Sequence, residues 1–194
     1  MGVGILGGAF DPPHLGHVAL ARRAISHFGL DRLLVRVVAL PGHREVAASP
    51  EQRLDLTRLA FGDVPEAEVS LDPFARTVDS LDALGLDDPV FVIGADQLVA
   101  FPSWQDPDRV LELARLGVAT RPGVVRPELD TVIARLSRPE RVELFELESL
   151  PISSSDVRER ARRGEPLADL LPARVAEEIG RRGLYREASR LHSE

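Results

Sequence analysis

Short runs of apolar, largely β-branched residues recur along the chain at 3–6, 33–40, 67–71, 89–93, 116–119 and 142–147. Each has the length and composition of a strand. Between them, apolar positions fall at three- and four-residue spacing over 15–28, 50–61, 78–84, 107–114 and, more weakly, 127–136, which predicts helices. Strands that alternate strictly with helices predict an α/β fold built on a doubly wound parallel sheet covered on both faces. In such a sheet ligands bind beyond the carboxyl ends of the strands, so the chemistry is expected in the loops that follow them. After 147 the strand pattern stops, and 154–163 and 172–182 read as two closing helices, with Gly183 as a C-cap. Residues 1–186 are expected to form one domain and 187–194 a frayed tail.

Composition narrows the partners. The 194 residues carry a formal net charge of −7, a field that disfavours a nucleic-acid partner. All 24 basic residues are Arg, so a phosphate contact that needs a cation falls to Arg or His. The chain has no cysteine, which removes disulfides and thiolate metal sites and fits a reducing, cytoplasmic location. The start of the chain has no basic segment ahead of its apolar stretch, and no run approaches membrane-spanning length. A protein neither exported nor membrane-bound is expected.

The most informative string follows the first strand: Gly7-Gly8-Ala9-Phe10-Asp11-Pro12-Pro13-His14-Leu15-Gly16-His17. Two glycines allow the backbone to turn and approach a ligand, and the amides at a helix start attract anions. His14 and His17, three residues apart in the first turn, can face one phosphate, with Gly16 between them leaving room for it. A second string, Ile152-Ser153-Ser154-Ser155-Asp156-Val157-Arg158, places serines at a helix N-terminus. A fork-shaped cation follows one turn later. Read alone, the first is a tight turn with incidental histidines and the second a well-capped helix; together they describe a phosphate site.

These strings resemble the GG(T/S)FDPxHxGH and ISSTxIR motifs of the nucleotidyltransferase α/β-phosphodiesterase superfamily. The chain further resembles the bacterial nicotinate-nucleotide adenylyltransferases in segments spread along nearly its whole length: PEQRL from Pro50, RTVDSL from Arg76, FVIGAD from Phe91, FPSW from Phe101, RPG from Arg121 and GLY from Gly183. The resemblance implies a Rossmann-like nucleotidyltransferase that moves an adenylyl group from ATP to nicotinate mononucleotide, giving deamido-NAD and pyrophosphate. It implies catalytic roles for His14, His17 and Arg158. It places ATP beside Gly7, Gly8, Ala9, Phe10, Gly94, Asp96, Ser153, Ser154 and Ser155. Thr77 and Trp104 would hold the pyridine ring and its carboxylate, with Arg76 a further candidate. No protein ligand set for a metal is assigned, and Mg²⁺ is expected to bridge the triphosphate. The acceptor phosphate is already ionised, so in-line positioning and charge neutralisation suffice without a general base.

Plainer readings stand beside these. Trp104 fits packing as well as stacking, Thr77 could be only an N-cap, Arg76 an exposed cation, and His27 and His192 surface residues. The chain also departs from the family pattern. Ala9 replaces the usual Thr or Ser, and Arg76 the usual Tyr. The loop after the second strand shortens to Pro41-Gly42-His43-Arg44, in which His43 and Arg44 are expected to take over ATP contacts. Transfer to another phosphate acceptor and a non-catalytic nucleotide sensor are therefore the alternatives. A homo-oligomer stays open.

Overall fold

The computed structural model describes residues 2–42, 45–122, 127–148 and 150–186. Their strands are β1 (Gly2–Gly8), β2 (Leu30–Val38), β3 (Ala67–Asp72), β4 (Val90–Gly94), β5 (Arg115–Thr120) and β6 (Val142–Glu146). They form one parallel sheet in the order β3-β2-β1-β4-β5-β6. The strand order reverses between β1 and β4, whose carboxyl ends therefore flank a crevice.

Alternation along the strands sends neighbouring side chains to opposite faces, and both faces are buried. Leu6, Leu33, Val35, Val37, Val90 and Val92 pack against one helical layer, formed by α1 (Leu15–Phe28), α2 (Pro50–Phe61), α7 (Ser154–Arg163) and α8 (Ala173–Arg182). Ile5, Phe91, Ile93, Leu116 and Val118 face the other layer, formed by α3 (Thr77–Leu84), α4 (Ala95–Ala100), α5 (Pro107–Leu113) and α6 (Pro127–Ala134). Two-sided burial explains why the strands read as continuous apolar runs.

Helix ends follow local chemistry. Ser49 accepts from the amide of Gln52 at 3.2 Å while the Gln52 side chain accepts from the amide of Ser49 at 2.9 Å, a reciprocal cap that starts α2 at Pro50. Gly183 ends α8 at φ 64°, the left-handed conformation that a side chain would resist. Three differences from the sequence pattern bear on the site. The short helix α4 fills the segment after β4; six residues are too few to show a helical period. Helix α3 starts at Thr77 with Arg76 as its N-cap, so Thr77 is not the cap. Strand β2 starts at Leu30 and stops at Val38, so Ala39 and Leu40 already belong to the following loop. Among the described residues no helix is long and apolar enough to cross a membrane.

Candidate active site

The crevice at the carboxyl ends of β1, β4 and β5 is a cleft of about 1080 Å³. One wall is the β1–α1 loop, with Gly7, Gly8, Ala9, Phe10, His14 and His17. The opposite wall carries Gly94 and Asp96, and the start of α7 closes one end with Ser153, Ser154, Ser155 and Arg158. These twelve candidates, drawn from three distant stretches of sequence, thus line one space. His43 and Arg44 lie outside the described residues.

His14 is the N-cap of α1 and is buried. Its amide donates to Nδ1 of His17 at 3.1 Å, so the neutral tautomer of His17 carries its proton on Nε2. The two rings stack at 3.7 Å, and the Phe10 ring meets His17 edge-on at 5.0 Å. Only this half of a reciprocal cap is made: the Nδ1 of His14 is buried without a partner among the described residues. Phe10 holds its place at φ 49°, a strained conformation for a bulky residue that surrounding packing must enforce.

Gly16 lines the cleft and has a second part that its spacing does not predict. A Cβ there would lie 3.0 Å from Nδ1 and 3.1 Å from Cε1 of His14. The missing side chain therefore makes room for the His14 ring as well as lining the cleft.

Burial pushes the His14 imidazole from 6.5 down to about 4, partly offset by the Asp156 carboxylate. Between those values the unfolded chain holds more protons than the folded one, so stability rises with pH across the window and is lost as pH falls through it. The contribution is on the order of 3 kcal/mol. Urea unfolding from pH 7 to pH 4 should therefore show a steeper loss in the wild type than in His14→Asn, which keeps a good N-cap residue. Equal slopes in the two proteins would contradict a desolvated His14.

At the start of α7, the Ser153 hydroxyl caps the amide of Asp156 at 3.1 Å and donates to the Asp156 carboxylate at 2.7 Å. The Ser154 hydroxyl donates to the carbonyl of Pro12 at 2.9 Å, tying α7 to the β1–α1 loop. Both hydroxyls are thus engaged within the protein. Helix geometry leaves the amides of Ser154 and Ser155 as donors without intrahelical acceptors. Arg158 donates from Nη1 to the Asp11 carbonyl at 2.7 Å and from Nη2 to the Ser155 hydroxyl at 3.2 Å. These bonds leave three of the five N–H donors of its guanidinium for other acceptors.

The remaining acceptor-side candidates stand apart. Thr77, in the first turn of α3, and the exposed Arg76 do not line the cleft. Trp104 does not line it either; its ring packs edge-on against Phe91 at 6.2 Å and Phe101 at 5.3 Å. Phe91 in turn lies beneath Gly7, so Trp104 sits one side chain away from the cleft floor.

Sequence reading missed two residues that build the site. Arg53 is fully buried and donates to four carbonyls: Ala9 at 2.7 Å, Val38 and Ala39 at 2.8 Å, and Ala48 at 3.2 Å. Asp11 is equally buried and accepts from the amides of Ala47 at 2.6 Å and Ala48 at 3.1 Å and from the Tyr185 hydroxyl at 2.8 Å. Asp11 lay inside the first motif, and its Phe-Asp-Pro context was the available signal. Among the described residues no group of three or more His, Asp or Glu is placed to hold a metal ion. The one buried cleft carboxylate, Asp11, already has both oxygens bonded.

The cytidylyltransferase-like family model matches residues 5–160. A protein of Bordetella avium named "probable nicotinate-nucleotide adenylyltransferase" is 36% identical over 96% of this chain and 98% of its own length. A Roseiflexus protein of the same name is 38% identical over 95% and 98%. Among solved structures, the Plasmodium falciparum nicotinic acid mononucleotide adenylyltransferase complexed with NaAD matches with a TM-score of 0.77 over 95% of this chain and 97% of that one. At 15% identity that match speaks to the fold alone. With the Gly7–His17 and Ile152–Arg158 strings brought together at the switch point of the sheet, the chain belongs to the cytidylyltransferase-like family and, within it, to the nicotinate-nucleotide adenylyltransferases.

Proposed function

We propose that the cleft binds ATP and nicotinate mononucleotide and joins them into deamido-NAD with release of pyrophosphate. The observation that carries this reading is the convergence of His14, His17, Arg158 and the first amides of α7 where the β1–α1 wall of the cleft meets the end closed by α7. That corner offers donors and a cation, with no nucleophile–base pair. The acceptor phosphate is itself the nucleophile, so the protein need only align it and stabilise charge as pyrophosphate departs. In this reading the α-phosphate sits against the two histidines and the terminal phosphates against Arg158, Ser154 and Ser155. His14 lines the cleft and is kept neutral by burial, so its ring can offer an N–H to a phosphate oxygen. Mg²⁺ would enter as part of the ATP complex, held by phosphate oxygens, since the described residues offer no cage of their own.

The departure at Ala9 lends the sensor alternative little support. Ala9 contributes its carbonyl, bonded to Arg53, and that contact does not depend on the side chain.

The acceptor would lie on the side of Phe91, Trp104 and α3, its carboxylate taken by the first-turn amides of α3 at Thr77. Losing that carboxylate would leave polar groups unpaired, which costs more than an apolar mismatch. Assays with ATP and each of nicotinate mononucleotide, nicotinamide mononucleotide and phosphopantetheine should give pyrophosphate fastest with the first. We expect the nicotinate form to exceed the nicotinamide form by at least about tenfold in kcat/KM. Equal efficiency would remove the carboxylate site from the account, and turnover with phosphopantetheine alone would replace the function.

A further inference from the structure

The chain's only tyrosine reaches the β1–α1 loop from the far end of the sequence. Tyr185 follows the Gly183 cap of α8 at φ 65°, a left-handed conformation that bulky residues seldom adopt. Its hydroxyl donates to Oδ1 of Asp11, 174 positions away, at 2.8 Å. Burial and then the Asp11 carboxylate push the phenol upward, so it remains a donor at any working pH.

Asp11 is a node with two outputs. Its carboxylate holds the amides of Ala47 and Ala48, and the adjoining Glu45 and Val46 line the cleft. Its carbonyl holds Nη1 of Arg158 at 2.7 Å, with that nitrogen 3.9 Å from the carboxylate. Whatever fixes Asp11 therefore bears on Ala47 and Ala48, which adjoin the cleft-lining Glu45 and Val46, and on the guanidinium together.

We propose that Tyr185 is a positioning residue for nucleotidyl transfer, acting through Asp11 to hold Arg158 in the geometry that meets the departing pyrophosphate. This rests on the adenylyl-transfer reading. The hydroxyl touches no substrate; it completes the set of donors that locks the carboxylate, and the lock is passed on through the Asp11 backbone. Preorganisation of this kind matters most when charge develops, so its loss should appear in kcat more than in the Michaelis constant for ATP.

The test compares Tyr185→Phe in two backgrounds. In the otherwise wild-type enzyme the isosteric ring keeps the packing, and kcat should fall about tenfold, the scale of one hydrogen bond to a charged group, with a smaller change in the ATP constant. In Arg158→Ala the same substitution should change kcat by less than about twofold, because the group it positions is gone. An undiminished tenfold loss in the Arg158→Ala background would assign Tyr185 a general structural role and overturn the proposal, as would full kcat in Tyr185→Phe alone. Absence of turnover in the wild-type enzyme would instead overturn the adenylyl-transfer reading, which keeps the two failures distinct.

Discussion

Replacing His17 with Ala is expected to lower kcat by about 10²–10³, the loss seen when one preorganised donor to a developing charge is removed from comparable sites. The backbone bond from His14 commits Nδ1 of His17 as an acceptor, so the imidazole presents its N–H from Nε2. Phe10 and His14 flank the ring on two sides and limit its rotation. The substitution also strips the His14 amide of its acceptor, which should cost about 1 kcal/mol and a few degrees of melting temperature. His17→Gln separates the two effects. A Gln three residues after the N-cap can accept from the N-cap amide, so it should restore the melting temperature while recovering only part of kcat. Recovery of both by Gln, or near-normal kcat in a folded His17→Ala, would show that the ring serves the helix cap and not the reaction.

The largest effect on stability is expected at Arg53. Its guanidinium, fully buried, satisfies carbonyls from the β1 loop, the end of β2 and the turn before α2. Arg53→Met removes all four of these bonds at once and takes away one of the positive charges that act on the Asp11 carboxylate, leaving it Arg158 alone among the described residues. Breaking such buried charged networks costs about 3–5 kcal/mol. For a chain of this size that corresponds to a melting temperature lower by roughly 6–20 °C. Arg53→Lys keeps the charge but cannot reach four acceptors with one ammonium, and it should fall between the two. Calorimetric melting checks the order wild type, Lys, Met. A drop of only a degree or two for Met would mean that water replaces the guanidinium and that the 39–48 segment is not anchored there.

The contrast between His17 and Arg53 shows which parts of the site the sequence can carry. Helices α1 and α2 were legible to the residue because their boundaries are written locally, in the Ser49–Gln52 cap with Pro50 and in the turn before Leu15. The meeting of the β1–α1 loop with the start of α7 was legible because two short strings each occupy one strand-to-helix junction, and the sheet order then brings the junctions together. Arg53 was visible only as part of a family string. Its four acceptors come from three segments that meet only in the fold. Tyr185 likewise was visible only inside a family string, with its partner 174 positions away. Gly16 was read as a space-maker in the cleft, which it lines, but the close approach of the His14 ring to it is a tertiary fact. Helix α4 is too short to leave a period, and Trp104 lies just beyond it, so periodicity could not place the indole on the Phe91 face.

The cleft is expected to carry out one in-line displacement on the α-phosphorus of ATP, with the acceptor phosphate as nucleophile and no bond to the protein. Its most direct test is the reaction of nicotinate mononucleotide with ATP made chiral at the α-phosphorus by a single sulfur substitution. A single displacement inverts that centre, so the thio-substituted deamido-NAD should carry inverted configuration, with one pyrophosphate released per product. Retention of configuration would require a covalent nucleotidyl-protein intermediate, and failure to form the dinucleotide at all would remove nucleotidyl transfer; either result would contradict the account.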